Sequence, residues 1–399
     1  MNVDNAQPVV QQQSRECEVL VVGGGVTGCS VARELAPDHD VLVLEKGEIA
    51  GRASGLSMGL ISPSQFYHDM PDAAHHSNQF FRSFDGTGGF EFTERRRVGL
   101  IDPDLEAEFR DRAARLASCG FPTSFYGTGT LKDLYPQFDA SGFAGAIEYR
   151  SHGWVNPYVY THAQKRVAES HGAEFRPGAE VTDLLVEEGR VVGAETRNYR
   201  IRAPLVICAA GWMTQRFLEP HGVSIPVRPF KYQLAVLDPG WTIGDGFPMG
   251  HIERGLTFRP MHNGNLLVDD SAGGFVDDPD RTSTGVDADA DFLARIPSEL
   301  PGILPAFEGA DVLHHWAGAV GITPDVRPIV DTPERGPDGL LVAQAGGAGI
   351  LGSPVVATAV RSLVTDDSAP FAVTPFSLDR FDSRSPDFGL EALPLYFQE

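Results

Sequence analysis

The sequence EVLVVGGGVTGCSVARELAPDHDVLVLEK, residues 18–46, has the pattern of a nucleotide-binding βαβ unit. Its apolar run 19–22 is too short for a helix and ends in glycines, which predicts a buried parallel strand. Gly23, Gly25 and Gly28 follow at G-x-G-x-x-G spacing, which permits a sharp turn, close approach to a pyrophosphate and close packing of the next helix. That helix would direct its free N–H groups and positive dipole end at the pyrophosphate.

An acidic residue ends the second strand of this unit. The apolar run 41–44 is followed directly by Glu45. A carboxylate at this position can accept hydrogen bonds from ribose hydroxyls and would repel a 2′-phosphate. Strand, glycines, helix, strand and acid together predict an adenine dinucleotide rather than a glycine-rich turn without a ligand, and they leave FAD and NAD as alternatives.

The chain is strongly acidic. Its 399 residues include 54 acidic and 32 basic side chains, for a formal net charge of −22, and only four of the basic residues are lysines. An acidic surface in which arginine has almost replaced lysine predicts a cytoplasmic protein of a halophile, soluble in high salt; a mildly acidic mesophilic enzyme is the alternative. Such a surface argues against nucleic acid or an anionic membrane as a partner.

The cysteines and the N-terminus predict no metal site, disulfide framework, signal peptide or membrane span. Four cysteines are scattered without a C-x-x-C pair. Cys29 and Cys208 fall in predicted core elements, where we expect them to be small hydrophobic residues. Residues 1–15 are polar and are predicted to form a disordered tail without an apolar stretch.

The middle of the chain alternates between the nucleotide-binding pattern and an antiparallel one. A loop rich in small residues, 47–68, follows the ribose-binding acid and is predicted to lie against a flat or phosphorylated ligand. The predicted strand 205–208 ends in Ala-Ala-Gly, which permits close approach of the backbone to a ligand. Between 228 and 270 we predict three antiparallel strands, two of them joined through an Asn-Gly turn, as the floor of a substrate-facing domain.

A second glycine-rich turn precedes a helix near the end of the chain. Residues 340–364 predict strand, turn and helix, with Ser353 as the N-cap and Pro354 as the first helical residue. One dinucleotide needs one pyrophosphate cradle, so this helix N-terminus is predicted to stabilise negative charge at the far end of the cofactor. A reduced flavin presents an anion there, whereas oxidised nicotinamide is positive. The asymmetry favours FAD over NAD.

These segments, in this order, resemble the D-amino-acid oxidase-like (DAO) family of FAD-dependent amine and amino-acid oxidoreductases. The family includes glycine and sarcosine oxidases, D-amino-acid dehydrogenases and flavin-subunit relatives of proline dehydrogenase. The resemblance covers almost the whole chain after residue 15. Its motifs are VVGGGVTG with Glu45, Ser54-Gly55-x-x-x-x-Gly59, Gly153-Trp154-Val155-Asn156-Pro157, Cys208-Ala209-Ala210-Gly211-Trp212, Phe258-Arg259-Pro260, Thr323-Pro324-Asp325 and Gly346-Gly347-x-Gly349.

The resemblance implies an α/β fold, with a Rossmann-like FAD-binding domain of the GR2 type and an inserted α+β substrate domain built on an antiparallel sheet. The implied FAD-binding domain is discontinuous and comprises 16–68, 148–228 and 319–371. The implied substrate domain comprises 69–147 and 229–318, and 372–399 form a C-terminal tail.

By the same resemblance FAD lies extended along the nucleotide-binding domain. It is expected to be non-covalent, because GRASGLSMG, residues 51–59, and WAGAVGI, residues 316–322, lack the histidine or cysteine that some members use. The implied cofactor-binding residues are Gly23, Gly25, Val26, Thr27, Gly28, Glu45, Lys46, Arg52, Ala53, Ser54, Gly55, Met58, Gly59, Val181, Ala210, Gly211, Trp212, Gly347, Gly349, Ile350 and Leu351.

The implied reaction is hydride transfer from the amine-bearing carbon of an amino acid or secondary amine to flavin N5, giving an imine. An FAD-dependent 2-hydroxy-acid or alcohol dehydrogenase and a flavin subunit of a multi-subunit dehydrogenase are the alternatives. The strand at 266–268 lacks the lysine with which monomeric sarcosine oxidases promote reaction with oxygen. This favours a dehydrogenase, and the sequence does not identify its electron acceptor.

The substrate anchor departs from the family pattern. Many members carry Gly-x-Arg-Pro before Thr-Pro-Asp, and that arginine grips the substrate carboxylate through two hydrogen bonds. Here the position is Val320. Arg259 and Lys231 are the predicted replacements, and Tyr232 and His251 are predicted to line the substrate pocket.

Overall fold

A computed structural model of the protein describes residues 13–252, 256–270, 274–276 and 287–381. The strands are β1 (Gln13–Glu16), β2 (Val19–Val22), β3 (Val41–Leu44), β4 (Leu60–Ile61), β5 (Phe92–Glu94), β6 (Arg97–Ile101), β7 (Thr123–Gly127), β8 (Gly145–Tyr149), β9 (Gly153–Val155), β10 (Glu174–Arg176), β11 (Val181–Glu187), β12 (Arg190–Thr196), β13 (Tyr199–Arg202), β14 (Leu205–Cys208), β15 (Arg228–Asp238), β16 (Met249–Ile252), β17 (Leu256–Pro260), β18 (Leu266–Asp270), β19 (Asp311–Ile322), β20 (Ile329–Asp331) and β21 (Leu340–Gln344). The helices are α1 (Val26–Leu35), α2 (Ala53–Leu56), α3 (Pro63–Phe66), α4 (Pro71–Phe84), α5 (Glu106–Ser118), α6 (Thr128–Leu134), α7 (Pro157–Ser170), α8 (Thr214–Leu218), α9 (Ala290–Ile303) and α10 (Gly349–Thr365).

A six-stranded sheet in the order β10-β3-β2-β14-β21-β20 forms the nucleotide-binding half. Its strands are parallel except for β20, which runs antiparallel to β21. The central strands β3, β2 and β14 are apolar throughout because both faces of the sheet are covered. Val19 and Val21 pack with residues of α1, α7 and α10 on one face, while Leu20 and Val22 pack against β11 to β13 on the other. The predicted βαβ unit is confirmed.

The N-terminal prediction is wrong for residues 13–15. Together with Glu16 they form β1, which pairs in parallel with β13 at the edge of the sheet β1-β13-β12-β11. Arg15 also forms an ion pair with Glu174 of β10. A strand held by backbone hydrogen bonds needs no apolar pattern, so this polar segment gave no signal of its pairing. The rest of the predicted tail, 1–12, lies outside the described residues.

An eight-stranded sheet in the order β19-β15-β18-β17-β16-β6-β8-β7 forms the second half. Its neighbours pair antiparallel except β16 and β6, which are parallel. The predicted α/β fold with an antiparallel substrate sheet is confirmed. The expected boundaries at 147/148 and 318/319 fall inside β8 and β19, and the exact division into domains stays a prediction.

Two segments outside the expected FAD-binding domain pack against its core. Phe81 of α4 is buried in the same cluster as residues of α1, α7 and α10, and the Ser77 hydroxyl donates to the Leu351 carbonyl at 2.6 Å. Beyond α10, Phe376 is fully buried, and the Asp331 carboxylate accepts hydrogen bonds from the backbone and side chain of residues 377–378. The expected C-terminal tail is therefore packed as far as 381, and 382–399 lie outside the described residues.

The prediction that Ser353 caps α10 is wrong, because the helix begins five residues earlier than predicted, at Gly349, and has Ala348 at its N-cap. Pro354 lies inside the helix and has no N–H to donate to the Ile350 carbonyl. The buried Ser353 hydroxyl donates to that carbonyl at 2.9 Å instead, and Tyr160 Oη lies 2.9 Å from Ser353 Oγ. Serine therefore compensates for the hydrogen bond that proline removes.

Replacing this serine tests that compensation. We expect Ser353→Ala to lower the free energy of unfolding by about 1–3 kcal/mol, because a buried carbonyl loses its hydroxyl donor. Ser362→Ala is the matched control: Ser362 also donates to the carbonyl three residues before it, at 2.8 Å, but no proline follows it in α10. Urea unfolding measures both, and equal losses would contradict the compensating role.

Candidate active site

A long cleft opens at the carboxyl ends of β2, β3, β14 and β21, the edge at which open α/β sheets bind ligands. The ends of these four strands contribute Val22, Leu44, Ala209 and Gln344 to its wall. The predicted cofactor residues that line it are Gly23, Gly25, Val26, Thr27, Glu45, Lys46, Arg52, Ala53, Ser54, Val181, Ala210, Gly211, Trp212, Gly347, Gly349 and Ile350. The fold thus brings together segments from opposite ends of the chain.

Two predicted cofactor residues, Gly28 and Gly55, serve close packing and do not line the cleft. A Cβ on Gly28 would lie 1.9 Å from the Gly23 carbonyl oxygen, so only glycine lets α1 pass this close to the end of β2. A Cβ on Gly55 would lie 2.2 Å from the Ala50 carbonyl oxygen. Gly23 itself has φ +111° and faces the Ala209 carbonyl, so a side chain is excluded there too.

The Glu45 carboxylate is fixed at the ribose end of the cleft by backbone donors. Its Oε2 accepts a hydrogen bond from the Gly24 N–H at 2.7 Å, and its Oε1 accepts one from the Gly47 N–H at 2.8 Å. Each oxygen keeps a further lone pair. Glu45 therefore keeps acceptor capacity at the wall of the cleft, and its role at a ribose stays a prediction.

Two helix N-termini point into the same cleft. Helix α2 approaches the first of them, and its Ser54 Oγ accepts a hydrogen bond from the Val26 N–H at 2.9 Å. A Cβ on Gly349, the first residue of α10, would lie 3.5 Å from Val26 Cγ1. The positive ends of α1 and α10 therefore lie close together at the cleft and add their fields there.

This cleft fits FAD. Bare glycine backbone and the α1 N-terminus suit a pyrophosphate, Glu45 suits a ribose, and the α10 N-terminus suits the negative charge of a reduced flavin. None of the described residues that line the cleft is a histidine or cysteine. The lining thus offers no side chain of the kinds that attach flavin covalently.

The cleft continues into a second chamber between α10 and the eight-stranded sheet. The two share Ala53, Ser57, Ala319, Val320, Gly347, Gly349 and Ile350. The predicted residues Met58, Gly59, Leu351 and Tyr232 also line the second chamber. The chamber is otherwise lined by Leu56, Leu60, Phe66, Arg97, Leu234, Thr257, Asp269, Gly318 and Ala348. Val320, where many family members carry arginine, stands at the junction.

The predicted anchor Arg259 does not line the second chamber. Its guanidinium is buried, donates from Nε to the Met58 carbonyl at 2.7 Å and lies 4.2 Å from the centre of the Trp154 ring. Burial lowers the pKa of Arg259 to about 9. Trp316 acts in parallel, because its Nε1–H donates to the Leu56 carbonyl at 2.8 Å. Both side chains therefore hold residues 56–58, here called the cofactor loop, against the eight-stranded sheet.

Lys231 and His251 also lie outside the lining of the chamber. Lys231 forms an ion pair with Asp289, with Nζ 2.5 Å from Oδ1. His251 is buried beside Arg97, and its Nδ1 lies 3.3 Å from the Arg97 Nε. Of the four predicted catalytic residues, only Tyr232 lines the chamber, and the catalytic roles stay predictions.

Sequence reasoning missed the two charged side chains of the chamber, Arg97 and Asp269. Arg97 is the last of three consecutive arginines, 95–97, and nothing in the run marks which one is buried. Asp269 is one of two aspartates at the end of an apolar strand. The alternation of inward and outward side chains along a strand could have identified it. Asp269 is two residues from Leu267, which faces inward on β18, so the two side chains share that face.

The fold and the cleft define a dinucleotide-dependent oxidoreductase of the flavin class. The chain belongs to the DAO family of FAD-dependent oxidoreductases, whose family model matches residues 18–363. The predicted family and the FAD cofactor are confirmed. None of the described helices has both the length and the apolar composition to cross a bilayer.

Known proteins resemble this chain over most of its length. Glycine oxidase from Pseudomonas putida is 29% identical over 335 residues, which are 81% of this chain and 87% of that protein. The crystal structure of glycine oxidase from Geobacillus kaustophilus superposes with a TM-score of 0.82 at 23% identity, covering 92% of this chain and 100% of that one. L-α-glycerophosphate oxidase from Mycoplasma pneumoniae, solved with FAD bound, has a TM-score of 0.77 at 17% identity and covers 88% and 95%. The two structures share the fold.

The contact between Ser54 and the α1 N-terminus can be tested directly. We expect Ser54→Ala to raise the dissociation constant of FAD about tenfold, because the loop over the pyrophosphate loses its link to the Val26 N–H. Ser57→Ala is the matched control and should change the constant less, since the Ser57 hydroxyl donates within the same loop, to the Ser54 carbonyl at 3.3 Å. Fluorescence titration of apoprotein with FAD measures both, and a larger effect of Ser57→Ala would contradict this role.

Proposed function

We propose that this protein oxidises an amino acid or a secondary amine in the second chamber. The observation that carries the proposal is the continuity of this chamber with the FAD cleft at Val320 and Ile350. FAD, when bound, accepts the hydride from the amine-bearing carbon, leaving an imine that water hydrolyses. The similarity to glycine oxidase over 87% of that protein supports the substrate class.

The protein's own residues orient the substrate, exclude water from the reacting carbon and stabilise negative charge. Apolar side chains such as Leu56, Phe66 and Leu234 wall the chamber and exclude water from the reacting carbon. The N-terminus of α10, at Gly349, places partial positive charge beside the flavin end of the cleft. Hydride removal needs such positioning more than it needs a strong base.

The chamber favours an amine over an alcohol. Oxidation of an alcohol requires a group that takes the hydroxyl proton, which histidine does in many enzymes. The described residues that line the chamber include no histidine; their one carboxylate is Asp269. An ammonium group loses its proton to water far more readily than a hydroxyl does, so oxidation of an amine does not require a side-chain base.

Purified protein tests the cofactor and the reaction together. We expect a yellow protein with visible flavin absorption, and acid precipitation should release the flavin into solution because the cleft presents no attachment residue. Under anaerobic conditions at least one of glycine, sarcosine, proline or a D-amino acid should bleach that absorption. Bleaching by hydroxy acids alone would overturn the amine assignment, and flavin that stays in the acid pellet would overturn non-covalent binding.

The surface charge supports a further proposal about where the protein works. We propose a high-salt cytoplasm, because a net charge of −22 destabilises a compact chain by self-repulsion unless salt screens it. The four lysines among 32 basic residues support the same proposal, since arginine has almost replaced lysine on this acidic chain.

Stability measured against salt tests the halophilic proposal. We expect the unfolding temperature to rise steadily between roughly 0.1 M and 2 M KCl, because screening removes repulsion between carboxylates. Sucrose at matched osmolality is the control, since it stabilises without screening charge. Full stability in dilute buffer, with no gain from salt, would contradict the proposal.

A further inference from the structure

Arg97 is a buried cation in the wall of the second chamber. It opens β6, is 1% exposed and lines the chamber across from the flavin end. Two hydrogen bonds orient its guanidinium: Nη1 donates to Ser62 Oγ at 2.9 Å, and Nε donates to His251 Nδ1 at 3.3 Å. Its neighbour Arg96 has a side chain that is 62% exposed and pairs with Glu148. The strand thus directs one arginine into the chamber and the other away from it.

The neighbourhood of Arg97 is shaped to hold this guanidinium in place. A Cβ on Gly99 would lie 2.2 Å from His251 Cε1, so glycine at this position makes room for the imidazole beside Arg97. Arg97 Nε donates to His251 Nδ1, so the ring nitrogen that faces the guanidinium carries no proton. Burial, followed by the charge of Arg97, holds the pKa of the nearby His152 well below its ordinary value. His152 therefore adds no second positive charge beside Arg97.

Asp269 is the chamber's negative counterpart and stands on the same sheet. It is 8% exposed, and its register partners are Leu234 on β15 and Thr257 on β17. Thr257 in turn pairs with His251 on β16. Asp269 and His251 thus occupy one row of the sheet two strands apart, a Cα separation of about 10 Å. Arg97 lies on β6, one strand beyond His251, so the two opposite charges of the chamber stand apart along the same face of the sheet.

The strand order fixes which end of such a substrate faces the flavin. Val320, at the junction with the cofactor cleft, lies on β19 at the edge of the sheet, and the order inward is β15, β18, β17, β16 and β6. Asp269 on β18 therefore lies on the flavin side of the chamber, and Arg97 on β6 lies on the far side. An amine held by Asp269 would have its carbon next to the cofactor.

We propose that Arg97 binds the substrate carboxylate and Asp269 binds its amino group, so that the chamber selects zwitterionic amines. This assignment rests on the proposed function. Many family members carry the carboxylate-binding arginine at the position of Val320 on β19. Here the cation would instead be Arg97, which lines the same chamber from β6. A carboxylate loses its hydrogen bonds to water on entering an apolar chamber. Charge-assisted hydrogen bonds from a fixed guanidinium compensate for this desolvation penalty. Amines without a carboxylate gain no such hydrogen bonds from Arg97 and should bind poorly.

Two substitutions that differ in their expected effect on carboxylate binding test the assignment on the purified holoprotein. The probes are acetate, which has only a carboxylate, and the amino acid that bleaches the flavin fastest. We expect Arg97→Gln to raise the dissociation constant of acetate by roughly thirtyfold or more, and the KM of the amino acid more than it lowers kcat. Asp269→Asn should leave acetate binding unchanged or tighter and weaken binding of the amino acid by roughly tenfold.

Acetate binding is measured from the shift of the flavin spectrum and, independently, by titration calorimetry. Arg96→Gln is the matched control, because it removes a neighbouring arginine that points away from the chamber; it should leave the constants unchanged. Arg97→Lys, which keeps the charge but not the two-pronged geometry, should recover part of the acetate affinity. This conservative variant keeps the test valid if Arg97→Gln does not fold.

The outcomes separate this inference from the proposed function. Unchanged acetate binding in folded Arg97→Gln or Arg97→Lys, with bleaching by amino acids intact, overturns the inference alone. Loss of acetate binding in Arg259→Gln but not in the Arg97 variants also overturns it, in favour of Arg259. Bleaching of the wild-type protein by hydroxy acids only, with acetate still dependent on Arg97, overturns the amine function and the role of Asp269 while the carboxylate site stands.

Discussion

The whole site depends on one backbone contact, the approach of Gly28 in α1 to the carbonyl of Gly23 at the end of β2. A Cβ on Gly28 would lie 1.9 Å from that oxygen, so any side chain would push the helix away from the strand. Because the contact is tight, the N-terminus of α1 begins directly above the carboxyl end of the sheet. The Val26 N–H, the loop at Ser54 and the start of α10 then converge on the same space. Repacking of α1 would move all of them.

The two halves of the molecule meet through the cofactor loop. Arg259 and Trp316, both from the eight-stranded sheet, donate hydrogen bonds to the Met58 and Leu56 carbonyls of the cofactor loop, which lines the second chamber. Each donor is on a different strand, so the loop is held at two points by one rigid surface. The chamber therefore keeps its distance from the cofactor even though its walls come from distant parts of the chain.

The nucleotide half could be predicted because local pattern and tertiary role coincide there. The strand at 19–22, the glycine turn and Glu45 can each be recognised from a few neighbouring residues in the sequence. Arg97 could not be predicted, since only its register with β8 and β16 distinguishes it from Arg95 and Arg96. Ser353 has the local pattern of an N-cap, yet the helix extends to Gly349 because its first turn packs beside α1. Pairing and packing at long range decided these positions.

The hydrogen bonds of Glu45 also reduce the conformational entropy that is lost when the cofactor binds. Fixing a flexible glutamate side chain loses about 1–2 kcal/mol of rotamer entropy. Here two backbone N–H groups, at Gly24 and Gly47, restrict the carboxylate before any ribose arrives. Folding absorbs that entropy loss, so the association step does not. Affinity for the adenosine half is therefore set by preorganisation as much as by the contacts it makes.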